Sequence, residues 1–385
     1  MPARRENFMI AMTMMVRDEA DIVGTMIEHH LAQGIDLFLV TDNGSVDGTR
    51  EILEAFAADG RIELAHDPRH LKQQHAVVTQ MSREAARRGA VWVLNADADE
   101  FWVSKTPGRT IKDELATIDP AIGAFEVPVI DMTGAGADAG TGLQRLIYRD
   151  HRPDELLHEL GIHAHATPDV AFVAREDVEV AQGNHFVNIE PHGSLAEGQG
   201  LEVYHFPWRS LAQFARKVEN AGRAYEASPH LRPSANHHGM RDYRRFQDGL
   251  LRTSYIARHP SAEELAEGLA RGWFVEDRRI ADALPSAVPD QPIAAADEEL
   301  ERVIMSRVRP LEARLLRLEQ EKRQATDDLD FARRHIAELD ALVASLREES
   351  DGARREREAV QEELAEINRS RVVRAARRVG WLAPR

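Results

Sequence analysis

The chain has 385 residues, a formal charge of −16, 43% hydrophobic residues and no cysteine. That length allows two domains, or one large domain with an appendage, and the lack of cysteine excludes disulfides and thiolate zinc sites and fits a reducing compartment. The acidic balance argues against a nucleic-acid binder, and neither a signal-like start nor a transmembrane-length apolar run is found, so a cytoplasmic location is expected.

Residues 8–16, FMIAMTMMV, are continuously apolar and predict a strand buried on both faces, with Arg17-Asp18-Glu19 beyond its carboxyl end. A helical pattern follows from Ile22 through Met26, Ile27 and Leu31, closed by Gly34. Residues 35–40, IDLFLV, predict a second strand that runs into the turn-rich TDNGSVDGT, where Asp42 stands first among the acids. Residues 50–58 predict a helix, 62–65 a short strand and 71–88 another helix. The fourth strand, VWVL at 91–94, is followed at once by Asp97, Asp99 and Glu100. This alternation predicts an α/β fold with a mostly parallel sheet flanked by helices.

In such a sheet ligands sit beyond the carboxyl ends of the strands. Three carboxylates within four positions repel one another unless a cation neutralises them. Oxygen ligands of this kind suit Mg²⁺ or Mn²⁺, which keep open positions for water and phosphate. The alternative is an acidic strand-to-loop turn that binds nothing.

Further on, residues 124–130 and 170–174 predict strands, and GAGADAGTG at 134–142 predicts a flexible loop, an acceptor-side lid. Residues 210–225 have the spacing of an amphipathic helix, with Leu211, Phe214, Ala215 and Val218 on one face. Residues 229–245, rich in His, Arg and Pro, show no legible pattern. Residues 284–310, with Pro285, Pro289 and Pro292, predict a linker or helical connection. From Leu311 through Leu318, Leu329, Ile336, Val343 and Leu364 to Ile367, apolar residues recur at alternating three- and four-residue steps. This heptad register, weakened at Lys322, Ser350 and Arg357, predicts a coiled coil over 311–367 that joins copies of the chain into a homo-oligomer. Residues 368–385 carry six arginines and no acid. As a helix they predict a basic amphipathic tail suited to peripheral contact with an anionic membrane on its inner face, the alternative being a solvated terminus.

Three segments, MTMMVRDEADIV, LFLVTDNGSVDGT and WVLNADADEFW, stand in this order, each at a strand end. Together they resemble glycosyltransferase family 2 enzymes of GT-A type, closest to the branch whose acid motif reads Asp-x-Asp-Glu-Phe. HFPWRSLAQFARKV is similar to that branch's later element, and the likeness spans residues 8–225. The resemblance implies a GT-A domain over 1–283, of the kind used in polysaccharide biosynthesis. Such a domain transfers a sugar, with inversion, from a nucleotide-sugar donor (a UDP-hexose) to a glycan or lipid-linked acceptor, and depends on Mn²⁺ or Mg²⁺.

The resemblance also implies roles for single residues. Asp42 would accept a hydrogen bond from a pyrimidine N–H, and Glu19, in Asp18-Glu19 where the family has Asn-Glu, would line the nucleotide cleft. Asp97 would face the ribose or the metal and Asp99 the metal itself. His205, and after it His185, are candidates to complete the metal or diphosphate site, and Arg209 and Lys217 are candidate diphosphate partners. Asp131, Glu100 and Asp177 stay open as the base that deprotonates the acceptor. Asp18 and Asp42 also stand where helix N-caps are expected, which would explain them without a ligand. His158, His163 and His165 have a zinc-like spacing but no helical frame. Two rivals are a nucleotidylyltransferase, which needs a Gly-rich phosphate loop where RDEAD stands, and a coiled-coil scaffold with a degenerate nucleotide-sugar domain. Intact Asp42, Asp97 and Asp99 weigh against the second.

Overall fold

The computed structural model describes residues 8–69, 73–160, 164–227, 238–285 and 287–381. Contacts divide the chain into two units, residues 1–309 and 310–385.

The first unit begins with the expected alternation: β1 (Ile10–Val16), α1 (Val23–Ala32), β2 (Leu37–Asp42), α2 (Thr49–Ala58), β3 (Glu63–His66), α3 (Gln74–Arg87) and β4 (Trp92–Asn95). β1 lies between β2 and β4, parallel to both, and β3 continues the parallel set beyond β2. With neighbours on each edge and helices over its faces, β1 is almost wholly buried, as its unbroken apolar run demands.

The chain continues through β5 (Glu100–Ser104), α4 (Ile111–Leu115), β6 (Ala124–Val127), β7 (Val129–Thr133), β8 (Ala137–Ala139), β9 (Tyr148–Asp150), α5 (Asp154–Glu159), β10 (Asp169–Val173) and β11 (Leu201–His205). It then forms α6 (Leu211–Glu226), α7 (His238–Gln247), α8 (Leu251–Arg258), α9 (Ala262–Arg271), β12 (Phe274–Glu276), α10 (Arg279–Ala283) and β13 (Gln291–Pro292). β10 and β6 complete the first sheet, in the order β3-β2-β1-β4-β10-β6, with β10 antiparallel to both its neighbours. A second sheet runs β12-β9-β7-β11-β5. One apolar cluster joins the two, uniting Met12, Trp92 and Leu94 with Phe101, Val203 and Tyr204. The expected α/β architecture, mostly parallel in its first half and flanked by helices, is present.

Several expectations are corrected. The strand expected at 124–130 is two strands, because Pro128 cannot donate to a ladder and the chain changes sheets there. The expected lid at 134–142 is packed: β8 pairs with β13, and Thr141 Oγ1 donates to Asp21 O at 2.9 Å. Gly134 and Gly140 fit because a Cβ there would collide with Arg145 O and with Asp290. Residues 284–310, expected as a linker or helical connection, contain β13 and the first turns of α11 (Ala295–Arg369), with Met305 buried, and the first unit extends to Arg309.

The second unit holds the rest of α11, a 75-residue helix, and α12 (Arg371–Arg378). Pro310 lies inside α11, at the boundary between the units. Leu318, Leu329, Ile336, Leu346 and Leu364, on the heptad stripe, are each at least half exposed. Among the described residues no helix is long and apolar enough to cross a membrane.

Candidate functional site

The carboxyl ends of β1, β2 and β4 deliver Asp18, Glu19 and Asp21, then Asp42, then Asp97 and Asp99, to one side of the first sheet. Glu100 opens β5. Strand register then builds the other half of the site. His205 on β11 lies opposite Glu100 on β5 and beside Asp131 on β7. Partners in adjacent strands share a face, so three residues distant in sequence become neighbours. α6 lays a third wall: Lys217, Asn220, Ala221 and Ala224 recur at helical spacing along it.

Asp99 is 1% exposed and is the focus of the charges. Lys217 Nζ donates to its Oδ2 at 2.5 Å, and His205 Nε2 and Arg209 Nη1 each lie 3.7 Å from the same oxygen. Burial works against ionisation of Asp99, but Lys217, His205 and Arg209 outweigh it and hold the carboxyl well below its usual range. His205 Nδ1 donates to Asp131 Oδ1 at 2.8 Å, and His165 Nδ1 lies 3.7 Å from the other oxygen of Asp131. Burial would lower the pKa of His205, yet the bond to Asp131 and the charge of Asp99 raise it to about 9.

Arg209 is fully buried just before α6. Its Nε donates to Asp21 at 2.9 Å, Nη2 to Glu19, and Nη1 to the Phe206 carbonyl at 3.2 Å. This corrects its expected role: with its donors spent inside the protein it holds Glu19 and Asp21 in place and does not reach out to a diphosphate. Burial raises Glu19 to about 7, with Arg209 opposing the shift.

On the far side, Asp97 Oδ1 accepts from Gln74 Nε2 at 2.9 Å and from Asn184 Nδ2 at 3.2 Å, and the Asp97 amide donates to Glu100 Oε2 at 2.8 Å. Asn184 holds a left-handed φ of 65°, an uncommon conformation for a residue other than glycine. It is buried, and its Oδ1 has no partner among the described residues. The next residue, His185, meets the fully buried Asp169 through Nδ1 at 3.0 Å. Burial, with repulsion among neighbours, raises Asp97 and Glu100, and raises Asp169 to about 8; burial lowers His185.

A cleft of about 180 Å³ opens beside Asp97 at the ends of β1 and β2, lined by Val16, Arg17, Asn43, Gln74, Gln182 and Asn220. Asp42 does not line it. Its carboxylate accepts from the Ser45 amide at 3.0 Å and from Arg50 at 2.8 Å, and these partners keep it ionised against the cost of burial. Asp42 therefore shapes the loop under the cleft instead of presenting a free acceptor to a base. Asn220, not foreseen in the sequence, donates to Asp18 Oδ2 at 2.7 Å and ties α6 to the β1 loop.

The three expected bases fare differently. Asp131 is held between two imidazoles and Glu100 is buried against the Asp97 amide. Asp177 is exposed and paired with Arg175 at 2.7 Å, outside the cluster. Of the histidine trio, His165 joins Asp131, and His163 lies outside the described residues.

Among the described residues no three His, Asp or Glu side chains converge as a ready metal cage. A pair does. Asp99 Oδ2 and His205 Nε2 are 3.7 Å apart, within the span of about 4.2 Å that two ligands each about 2.1 Å from one ion can reach. The bond from His205 Nδ1 to Asp131 is the outer contact that orients such a ligand, and Nε2 would ligate once the ion displaces its proton. The donor set fits a Mn²⁺ or Mg²⁺ ion that takes its remaining positions from water and phosphate. Lys217 occupies the same Asp99 oxygen, and its side chain is 41% exposed.

A model of glycosyltransferase family 92 matches residues 6–123, less than a third of the chain, where the motifs had suggested family 2. No curated protein matches. Among solved structures, the chain is similar to S. aureus TarS 1-349 in complex with UDP, at 12% identity and a TM-score of 0.32, over 55% of this chain and 66% of that one. It is also similar to glucosyl-3-phosphoglycerate synthase from Mycobacterium tuberculosis in complex with Mn²⁺, UDP and glucosyl-3-phosphoglycerate. That likeness is at 15% identity and a TM-score of 0.24, over 43% of this chain and 57% of that one. The chain thus spans less than two thirds of both. The family match, which contains Asp97, Asp99 and Glu100, supports a glycosyltransferase.

Proposed function

We propose that the first unit is a metal-dependent transferase that moves a sugar from a nucleoside-diphosphate donor, a UDP-hexose, to a hydroxyl of a glycan or lipid-linked acceptor with inversion. The supporting observation is the Asp99–His205 pair at the end of β4, together with a cleft of about 180 Å³ at the ends of β1 and β2. The nucleoside enters between the ends of β1 and β2, against Arg17, Asn43 and Asn220. Asp97 meets the ribose, and Arg209 fixes Glu19 near Asp99. Asp99 and His205 would hold the ion, which would offset charge on the leaving diphosphate. Lys217 turns from Asp99 to the phosphates, placing a cation where negative charge develops.

The acceptor proton needs a taker. His185 stands beside Asp97 with its side chain 30% exposed, its ring fixed by Asp169 and its neutral form favoured by burial. With Asp169 ionised, Nδ1 donates and Nε2 accepts, the arrangement of an oriented general base. Transfer should therefore rise with pH toward about 8, where Asp169 loses its proton.

One assay tests both roles: nucleotide release from a panel of nucleotide sugars with Mn²⁺ and a mixed glycan acceptor. Asp99→Asn should lower transfer about 100-fold or more, a loss of a few kcal/mol of charge stabilisation. His185→Gln should lower transfer comparably while leaving UDP binding intact. A His185→Gln protein that transfers at the parent rate removes the base assignment, and a parental rate in Asp99→Asn removes the metal reading.

We also propose that α11 pairs with α11 of a second copy along its exposed heptad stripe.

A further inference from the structure

Residues 368–385 reverse the charge of the chain: six arginines and no acid in a protein of net charge −16. The helix before them, over 351–367, carries six acids and three arginines. The reversal coincides with a break in structure. α11 ends at Arg369, and Ser370 is extended (φ −61°, ψ 146°), with its Oγ accepting from the Val373 amide at 3.3 Å as the N-cap of a new helix. α12 then runs to Arg378, and Gly380, at φ 74°, closes it in the left-handed conformation. The basic segment is thus a separate element rather than a frayed continuation of the long helix.

α12 has two faces. Val372, Ala375, Ala376 and Val379 recur at helical spacing on one, and Arg371, Arg374 and Arg378 on the other. Val372 is 77% exposed, Val379 70% and Trp381, just beyond, 86%. A second copy of the same helix would cover the apolar stripe and leave the arginines without an anionic partner. A nucleic acid would use the arginines and leave the apolar stripe and Trp381 in water. An acidic bilayer surface satisfies both faces: arginines meet the headgroups, while valines and an interfacial tryptophan enter the acyl boundary.

We infer that α12 with Trp381 is a docking element for an anionic lipid surface, and that it holds the chain at a membrane without crossing it. The membrane would then lie where a lipid-linked acceptor is presented, although the inference rests on the tail alone and survives any revision of the transferase reading.

The test is sedimentation of the full chain with phosphatidylcholine vesicles, with and without phosphatidylserine, at low and high salt. Binding should require phosphatidylserine, and salt on the order of 0.5 M should release it, because screening then acts within a few ångströms. Arg371→Glu/Arg374→Glu/Arg378→Glu should reduce the bound fraction about tenfold or more, and Trp381→Ser should reduce it several-fold. The melting temperature of each variant should match the parent, since these side chains are exposed. Equal sedimentation with pure phosphatidylcholine overturns the inference, as does unchanged binding in the arginine variant. So does binding to single-stranded RNA that is indifferent to Trp381→Ser, which would assign the arginines to another polyanion.

Discussion

Asp99 sits among three cationic groups, and this changes what its replacement should do. On sequence alone, removing one of three crowded carboxylates would relieve repulsion. In the structure Lys217, His205 and Arg209 all face Asp99, and Arg209 is fully buried. Asp99→Asn leaves those cations short of an anion, so a loss of stability is expected. His29 and His30 form a second residue-scale device that no local pattern announces. β5 is the edge of its sheet, and its outer side at Trp102 is met by α1: His29 Nε2 donates to the Trp102 carbonyl at 2.8 Å, and the Trp102 amide donates to His30 Nε2 at 3.1 Å. Burial lowers His29 to about 4, so it stays neutral in the folded chain after an unfolded imidazole would have protonated near 6.5. Between those values the unfolded chain binds more protons, and stability falls as pH drops, by about 3 kcal/mol in all, then levels off. Glu19 and Asp169, raised in the folded state, work in the opposite direction as pH falls. The parent must therefore be compared with His29→Gln by thermal unfolding at successive pH values. The gap between the two melting temperatures should shrink from pH 6.5 to pH 4; a gap independent of pH would mean His29 does not titrate as a buried neutral imidazole.

At the scale of elements, what was legible follows from range. β1, α1, β2, α2, β3, α3 and β4 join neighbours in sequence, and their apolar periods and glycine breaks mark them directly, so the acids at the ends of β1, β2 and β4 could be placed. The second sheet could not be read the same way. Its strands are three to five residues long, too short to carry a period. The meeting of Glu100, His205 and Asp131 depends on pairing β5, β11 and β7, which lie far apart in the chain. His205 stands among the candidates, but its bond to Asp131 has no sequence signal, so Asp131 stays one of three open bases there. Asp169 and Asn184 were missed for the same reason: each matters only because the fold carries it to His185 or Asp97. The glycine-rich segment at 134–142 was misread because glycines that permit close packing have the composition of glycines that permit motion.

For the whole molecule, the proposed assembly predicts a mass. Met305 is buried within the first unit, so a chain ended after Arg309 keeps it and loses the exposed heptads together with α12. Light scattering should then give a monomer where the full chain gives an oligomer, and Leu329→Asp/Ile336→Asp should act likewise by placing charge in the helix seam. A truncated chain that keeps the oligomeric mass would locate self-association in residues 1–309. The central claim, that Asp99 with His205 binds a divalent ion and through it a nucleoside diphosphate, is tested most directly by calorimetric titration of UDP. The titration is run with Mn²⁺ and with chelator, at a temperature where both the parent and Asp99→Asn are folded. The parent should bind UDP about tenfold or more tightly with Mn²⁺, a difference of at least about 1.4 kcal/mol, and Asp99→Asn should bind it equally weakly in both conditions. An Asp99→Asn protein that retains the full metal-dependent gain would contradict the account.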